Sequence, residues 1–329
     1  MNDGGQEHPG GTERWPVRCF AGTSWRGALA DIVREVPLSV WLDGRKLATI
    51  ACTGLHVEEL ALGWLRGEGI IRSAAEITAL VVEPGGESVH VSTRTGATGG
   101  EEGDRMRRRD EPWGVAVVSP DTAGERVDAA VAGTASGAGP DGGVEVFIAA
   151  AGGRSPFRDP GGVTAPPGDS EKGTAPVPAG AAGGLPPLVV PSRVPPLSPS
   201  RIFDLMEQLT VAVAIHRLSR GTHGAALADE RGIIVVREDI GRHNCLDMLS
   251  GYALRHGLDG ADKILLRTGR VSSEIVYKLW RMGVPVALSL SVPTALAVRI
   301  AEAAGITLVG AIRTPSLTVY THPERIGAA

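Results

Sequence analysis

Cysteine is scarce in this chain: three residues in 329, Cys19, Cys52 and Cys245, at unrelated spacings. No CxxC pair occurs, which excludes a disulfide framework and a cysteine-rich metal site. His216, His223, His243 and His322 are scattered without an i,i+4 pair, so no metal centre is expected. No apolar run approaches the length of a membrane span, and Met1 to Pro16 is polar and Gly-rich without a signal-peptide core. A cytoplasmic protein without a membrane segment is the expectation. Excess positive charge is missing too. A net charge of -4 argues against broad binding to nucleic acid or membrane surfaces, while leaving room for a local anion pocket.

Glycine and proline are abundant instead: 45 and 23 residues, about a fifth of the chain against a usual share of roughly 12%. The excess is local and divides the sequence. Residues 1–18 read as a disordered leader, and 19–94 as a β-rich domain with one buried helix. Its strands are Leu38 to Leu42 and Leu47 to Ala51 around an Asp43-Gly44 turn, then Ile77 to Val82 and Ser88 to Ser92. Between them Val57 to Gly67 predicts a helix with Glu58 and Glu59 in its first turn, apolar round most of its circumference. Residues 95–198 form a Gly/Pro-rich insertion expected to be mostly disordered, because such composition buries too little apolar surface to offset ordering entropy. Its basic run, Arg105 to Arg109, reads as a solvated segment, and Trp113 to Val118 and Val144 to Ala149 could be strands within it.

From residue 199 to 329 the periodicity becomes regular. A helix over Ile202 to Leu218 precedes strands at Ala225 to Ala228 and Ile233 to Val236. Then come helix 243–256, strand Ile264 to Leu266, helix 272–282, strand Val284 to Leu288, helix 293–304 and strand Ile306 to Val309. This alternation predicts a three-layer α/β domain. Three strand-to-helix turns carry the polar chemistry. Arg237-Glu238-Asp239-Ile240-Gly241-Arg242-His243-Asn244 packs more charge than a turn needs. Arg267 to Ser273 holds Gly269, Arg270 and Ser272, while Ser289 to Thr294 holds Ser291 and Thr294, with Pro293 at a helix start. Helix N-termini gathered along one sheet edge make an anion site suited to phosphates. His223, at the start of a strand, is either a satisfied structural histidine or part of that site.

These residues resemble the formate dehydrogenase accessory sulfurtransferase family (FdhD). The likeness runs through Glu35-Val36-Pro37-Leu38, Glu59 to Leu65, Glu68-Gly69-Ile70-Ile71 and Gly221-Thr222-His223. It continues through Arg237 to Asn244, Gly269-Arg270 with Ser272 and Glu274, Ser291-Val292-Pro293-Thr294, Gly305 to Gly310 and Val319-Tyr320-Thr321. The resemblance implies a cytidine-deaminase-like α/β/α core, a smaller β-rich N-terminal domain and a homodimer. It implies transfer of sulfur from a cysteine desulfurase to molybdenum bis(molybdopterin guanine dinucleotide) as bound cargo, for formate dehydrogenase. Cargo binding carries over from the family to Ala311, Ile312, Arg313, Thr314, Pro315 and Ser316; the anion site read from the turns adds His223, Arg237, Gly241, Arg242, His243, Gly269, Arg270, Ser272, Ser291 and Thr294 as its candidate ligands.

One departure concerns chemistry directly. The family's sulfur-carrying cysteine lies in a CxxC-type loop, yet this chain has no cysteine between Cys52 and Cys245. A persulfide relay needs an accessible thiolate. Cys52, just before a helix start, is the candidate substitute, with Cys245 next; a buried apolar role is the competing reading for both. Ser219-Arg220 also stands where the family usually has Thr-Gly. The alternatives are a cofactor-binding chaperone without sulfur transfer, or a degenerate copy. Deamination is not expected, since His223-Gly224-Ala225 lacks the H-x-E glutamate and no cysteine pair follows.

Overall fold

The computed structural model describes residues 10–94, 115–117 and 190–327. Its strands fall into three sheets. The first is a two-stranded antiparallel ribbon, β1 (Thr12–Ala21) against β2 (Ser24–Val33). Residues 12–18 of the expected disordered leader are therefore strand, and 1–9 lie outside the described residues. Its alternation was hard to read because both faces carry apolar and charged residues together. The second sheet has the order β4-β3-β6-β5-β7, from β3 (Val36–Leu42), β4 (Arg45–Cys52), β5 (Ile77–Val82), β6 (Ser88–Thr93) and β7 (Val115–Val117). The strand β7 lies inside the run Trp113 to Val118, whereas Val144 to Ala149 is outside the described residues. Against this sheet packs α1 (Val57–Gly67), with Leu60, Ala61, Leu62 and Leu65 fully buried. Each large apolar side chain so buried contributes about 1.5–3 kcal/mol.

The third sheet is six-stranded, in the order β13-β12-β11-β10-β8-β9. It comprises β8 (His223–Ala228), β9 (Ile233–Asp239), β10 (Ile264–Arg267), β11 (Val286–Ser289), β12 (Thr307–Arg313) and β13 (Ser316–Val319). Strands β10, β11 and β12 run parallel, and β8 pairs antiparallel to β10. Alternate side chains choose opposite faces. Ala225, Leu227, Leu265, Ala287 and Leu308 pack with α4 (Arg242–Arg255), α5 (Ser273–Met282) and α6 (Ala295–Ala304). Ala226, Ala228, Leu266, Leu288 and Val309 pack with α2 (Pro199–Ala212) on the other face. Residues 190–198, expected within the insertion, belong to this unit: Val190 is fully buried and Leu197 N donates to Arg325 O at 2.9 Å.

The helix expected over Ile202 to Leu218 breaks at Val213 into α2 and α3 (Ala214–Ser219). The cause is Glu238, whose carboxylate accepts from Ile215 N at 3.0 Å and His216 N at 2.7 Å, giving the second helix its own start. The two larger units meet where α1 crosses α4. A Cβ on Gly63 would lie 1.6 Å from Asp247 O, and one on Gly251 would lie 2.0 Å from Glu59 O. Backbone thus approaches backbone, and only glycine permits it. Among the described residues no helix is long and apolar enough to cross a membrane.

Candidate functional site

Strand register collects the expected turns on one edge of the six-stranded sheet. His223 pairs with Asp239, Ala225 with both Arg237 and Arg267, and Arg267 with Ser289. The start of β8 therefore lies beside the ends of β9, β10 and β11. Loops continue the edge by hydrogen bonding. Thr268 N donates to Gly224 O, Ser289 Oγ to Gly269 O, Thr294 N to Val271 O and Ala311 N to Ser291 O, all within 3.0 Å. A continuous rim results, running from His223 through Gly269 and Ser291 to Ala311.

Charge gathers at its centre. A Cβ on Gly269 would lie 3.3 Å from Arg267 Nη2, 3.4 Å from His223 Nδ1 and 3.7 Å from Arg242 Cβ, so these residues converge on one spot. Arg267 is 97% buried in effect, with 3% of its surface exposed, and its Nε donates to Gly269 O at 2.9 Å. Among the described residues no carboxylate lies within ion-pair distance of Arg242, Arg267, Arg270 or Arg313. Neighbouring groups register the field. Burial first, and then Lys278, Arg242, Arg267 and His223, push His243 down to about 4. Its Nε2 lies 3.0 Å from Glu274 Oε2, which is therefore a hydrogen bond from a neutral ring rather than an ion pair. Burial, then Arg267 and Arg242, lower His223 as well. Burial lowers Arg267 itself to about 10. Uncompensated cations in a low-dielectric setting attract an anion more strongly than they would in water.

Helix starts add amides. Neither α4, capped by Gly241, nor α5, capped by Ser272, has a side-chain cap hydrogen bond. Their first N–H groups are left for other acceptors. The third start, α6, differs, because Thr294 Oγ1 accepts from Ala297 N at 3.3 Å.

Several expected ligand contacts serve the fold instead. Arg237 turns away from the rim and grips Glu59 with two bonds, Nε at 2.6 Å and Nη2 at 2.7 Å, while lying over the Tyr252 ring. Neighbouring Asp239 accepts from Thr53 N, Thr53 Oγ1, Gly241 N and Asn244 Nδ2 at 2.6–2.9 Å. Burial still raises its carboxyl above the usual range. Asn244 Nδ2 also donates to Ala51 O at 2.8 Å, so this turn joins the two units. Gly241 is needed where a Cβ would meet Asn244 Cγ at 2.6 Å. Within 311–316, Ala311 joins the rim and Ile312 is core at 2% exposure. Arg313, Thr314, Pro315 and Ser316 are exposed at the β12–β13 turn on the same sheet edge, and Ser316 Oγ donates to Arg313 O.

The cysteine candidates fail on access. Cys52 is fully buried and its thiol is pushed up to about 12, chiefly by burial. Cys245 is 1% exposed, donates to His223 O at 3.2 Å and is also raised by burial. Neither offers a thiolate to a partner. Among the described residues no cluster of three or more His, Cys, Asp or Glu could hold a metal. The centre of the rim, Arg267, was not among the expected ligands. Its signal in the sequence is a cation closing the apolar run Ile264-Leu265-Leu266.

A two-unit α/β protein with an anion-attracting rim at helix starts is the class these features define. The sequence pattern of the FdhD/NarQ family matches residues 33–129 and 180–327, and the chain belongs to that family. It is 30% identical over 296 residues to the sulfur carrier protein FdhD of Bacillus subtilis (strain 168), covering 90% of each chain. It is also 30% identical over 300 residues to the sulfur carrier protein FdhD of Staphylococcus aureus (strain MRSA252), covering 89% of this chain and 88% of the relative. Its fold resembles a crystal structure from Desulfotalea psychrophila described as a formate dehydrogenase accessory protein, with a TM-score of 0.63 and 18% identity over 96% and 99% of the two chains.

Proposed function

We propose that this chain is a cytoplasmic accessory protein of formate dehydrogenase maturation that holds a guanine-dinucleotide molybdenum cofactor on the rim. The observation that carries this reading is the convergence of His223, Arg242 and Arg267 on Gly269, without a carboxylate to neutralise them among the described residues. A diphosphate meets that need, taking up guanidinium donors and the amides at the starts of α4 and α5. Arg270 and Arg313, exposed along the same edge, extend the cationic surface towards further phosphates. Helices on both faces of the six-stranded sheet support a cytidine-deaminase-like layering of this core, turned to binding rather than to deamination.

Binding and delivery are the favoured roles. The curated relatives carry sulfur by name, but Cys52 and Cys245 are enclosed here. A second reading, sulfur transfer from a cysteine desulfurase to the cofactor, would have to use Cys19, the exposed thiol of the three. Intact mass after incubation with a desulfurase and cysteine separates the two: a gain of about 32 Da that disappears in Cys19→Ala supports the carrier, and no gain supports delivery alone.

Titration with GDP tests the rim itself. Saturable binding, weakened about tenfold or more in Arg270→Ala, is expected, since one charge-assisted phosphate contact contributes about 1.5–3 kcal/mol. No binding at millimolar nucleotide would overturn the cargo reading.

A further inference from the structure

A carboxylate stands next to the rim, and a phosphate site has no use for one. Glu274 lies in the first turn of α5, with 48% of its side chain exposed. Its Oε2 lies 3.0 Å from His243 Nε2, and Lys278, Arg242, Arg267 and His223 lie close enough to act on that ring. Among the described residues Oε1 has no hydrogen-bond partner, and no lysine or arginine pairs with either oxygen. The helix dipole favours an acid in a first turn wherever its side chain points. Glu274 instead reaches across to α4 and so stays beside the rim. Helical spacing extends the feature along α5. Tyr277, three residues on and on the same face, is 37% exposed, while Ile275, Val276, Lys278 and Leu279 around it are buried. Among the described residues its ring meets no other ring or cation, and its hydroxyl makes no hydrogen bond.

We propose that Glu274 and Tyr277 read the base of the nucleotide whose diphosphate the rim holds, and that they select guanine. Base selection rests on the diphosphate reading of the rim, which supplies the anchor: Arg267, 3% exposed and without a carboxylate, and the free amides at the start of α5. Four residues at 1.5 Å each place Tyr277 about 6 Å along the axis from Ser273, room for a sugar between phosphate and base. Like charge keeps a carboxylate from a phosphate, so Glu274 suits a part of the ligand that donates hydrogen bonds. Guanine sets N1–H and its 2-amino group side by side, two parallel donors that the oxygens of one carboxylate can accept. Adenine and cytosine place a donor next to an acceptor on that edge, and uracil sets one N–H between two carbonyls. Each of these would press a lone pair on the carboxylate. The Tyr277 ring offers a stacking face, which strengthens binding without choosing among bases.

Calorimetric titration of the full chain with pyrophosphate, GDP, IDP, XDP and ADP tests the assignment. The wild type should prefer GDP to ADP, and to IDP, which lacks the 2-amino group, by about tenfold or more. Glu274→Gln should lower GDP affinity relative to pyrophosphate about tenfold. The same variant should raise XDP affinity, because its amide offers one acceptor and one donor to the N1–H and 2-oxo group of xanthine. Tyr277→Ala should weaken every nucleotide relative to pyrophosphate, by about fivefold to a hundredfold. Equal affinity for GDP, IDP and ADP, or a GDP preference that survives Glu274→Gln, would overturn the proposal and leave the rim a phosphate site. Parallel losses of pyrophosphate and all nucleotides in Glu274→Gln would also overturn it, because the residue would then act only by steadying His243. If neither pyrophosphate nor any nucleotide binds at millimolar concentration, the cargo reading itself fails and base selection falls with it.

Discussion

The seam between the two units and the rim of the C-terminal sheet both carry arginine, and they use it in opposite ways. In the seam, Arg237 is matched by Glu59, with 11% and 5% of the two side chains exposed, and Arg255 by Glu58 at 2.9 Å. Lys278 there is matched by Asp247 at 2.5 Å. Each of these three cations has its carboxylate, and the pairs tie α1 to β9, α1 to α4 and α4 to α5, while Arg66 of α1 is met by the Arg281 carbonyl instead. On the rim, five residues beyond Arg237, Arg242 has no carboxylate among the described residues, and neither has Arg267. Leaving buried guanidinium charge unmatched costs stability, and the proposed cargo would supply the anion that offsets that cost. One polar segment, Arg237 to Asn244, serves both regions: Arg237, Asp239 and Asn244 go to the seam, and Arg242 and His243 to the rim.

The comparison breaks most severely at the seam. Gly63→Val should cost more than about 3 kcal/mol, because even the first added carbon falls on Asp247 O and α1 must leave α4. Soluble yield and the urea midpoint measure it. Next in size, Arg237→Met leaves Glu59 buried without its partner and should cost about 3–5 kcal/mol. Adding Glu59→Leu should recover most of that loss. GDP affinity should stay within about twofold in any of these variants that folds, since Arg237 is spent on the seam. A large loss of affinity in Arg237→Met at retained stability would place that residue back on the rim.

Arg267→Met should do the reverse. Gly269 O keeps its bond from Ser289 Oγ at 2.9 Å, so no acceptor is orphaned, and a buried unmatched charge is removed. Thermal stability should be unchanged or raised, while GDP binding weakens about tenfold or more. A variant that loses stability and keeps affinity would mean that Arg267 is structural after all.

Much of this division was legible in the sequence, and what was not has physical reasons. The helices starting at Arg242, Ser273 and Ala295 follow from apolar periodicity and turn residues, and their shared edge follows from strand alternation. The direction of each side chain in Arg237 to Asn244 did not follow, because Arg237 and Glu238 continue β9 and so point to opposite sides. Whether an arginine is matched is decided by Glu59, 178 residues away, and no local pattern carries that. The ribbon was missed because alternation signals burial on one face, and β1 and β2 carry exposed apolar groups on both. Cys52 looked favourable by its place before a helix start; burial, which sequence position alone does not give, removes it.

The smallest expected effect tests the rim's field without a ligand. His243 is held near 4 by burial and surrounding cations, while an unfolded histidine titrates near 6.5. The folded chain therefore binds this proton less readily than the unfolded one. Stability owed to the neutral ring is complete above about pH 6.5 and is lost as pH falls from there towards 4, levelling off below. With 16% of the side chain exposed, screening trims the loss at pH 5 to about 1–2 kcal/mol. His243→Gln should remove this slope between pH 7 and 5 in urea melts, leaving the slopes of other groups in place. Saturating GDP should shrink it in the wild type, because a bound diphosphate offsets Arg242 and Arg267 and lets the ring take its proton at higher pH. A slope indifferent to nucleotide would separate His243 from the cations of the rim, and with it the link between their unmatched charge and the anion meant to complete them.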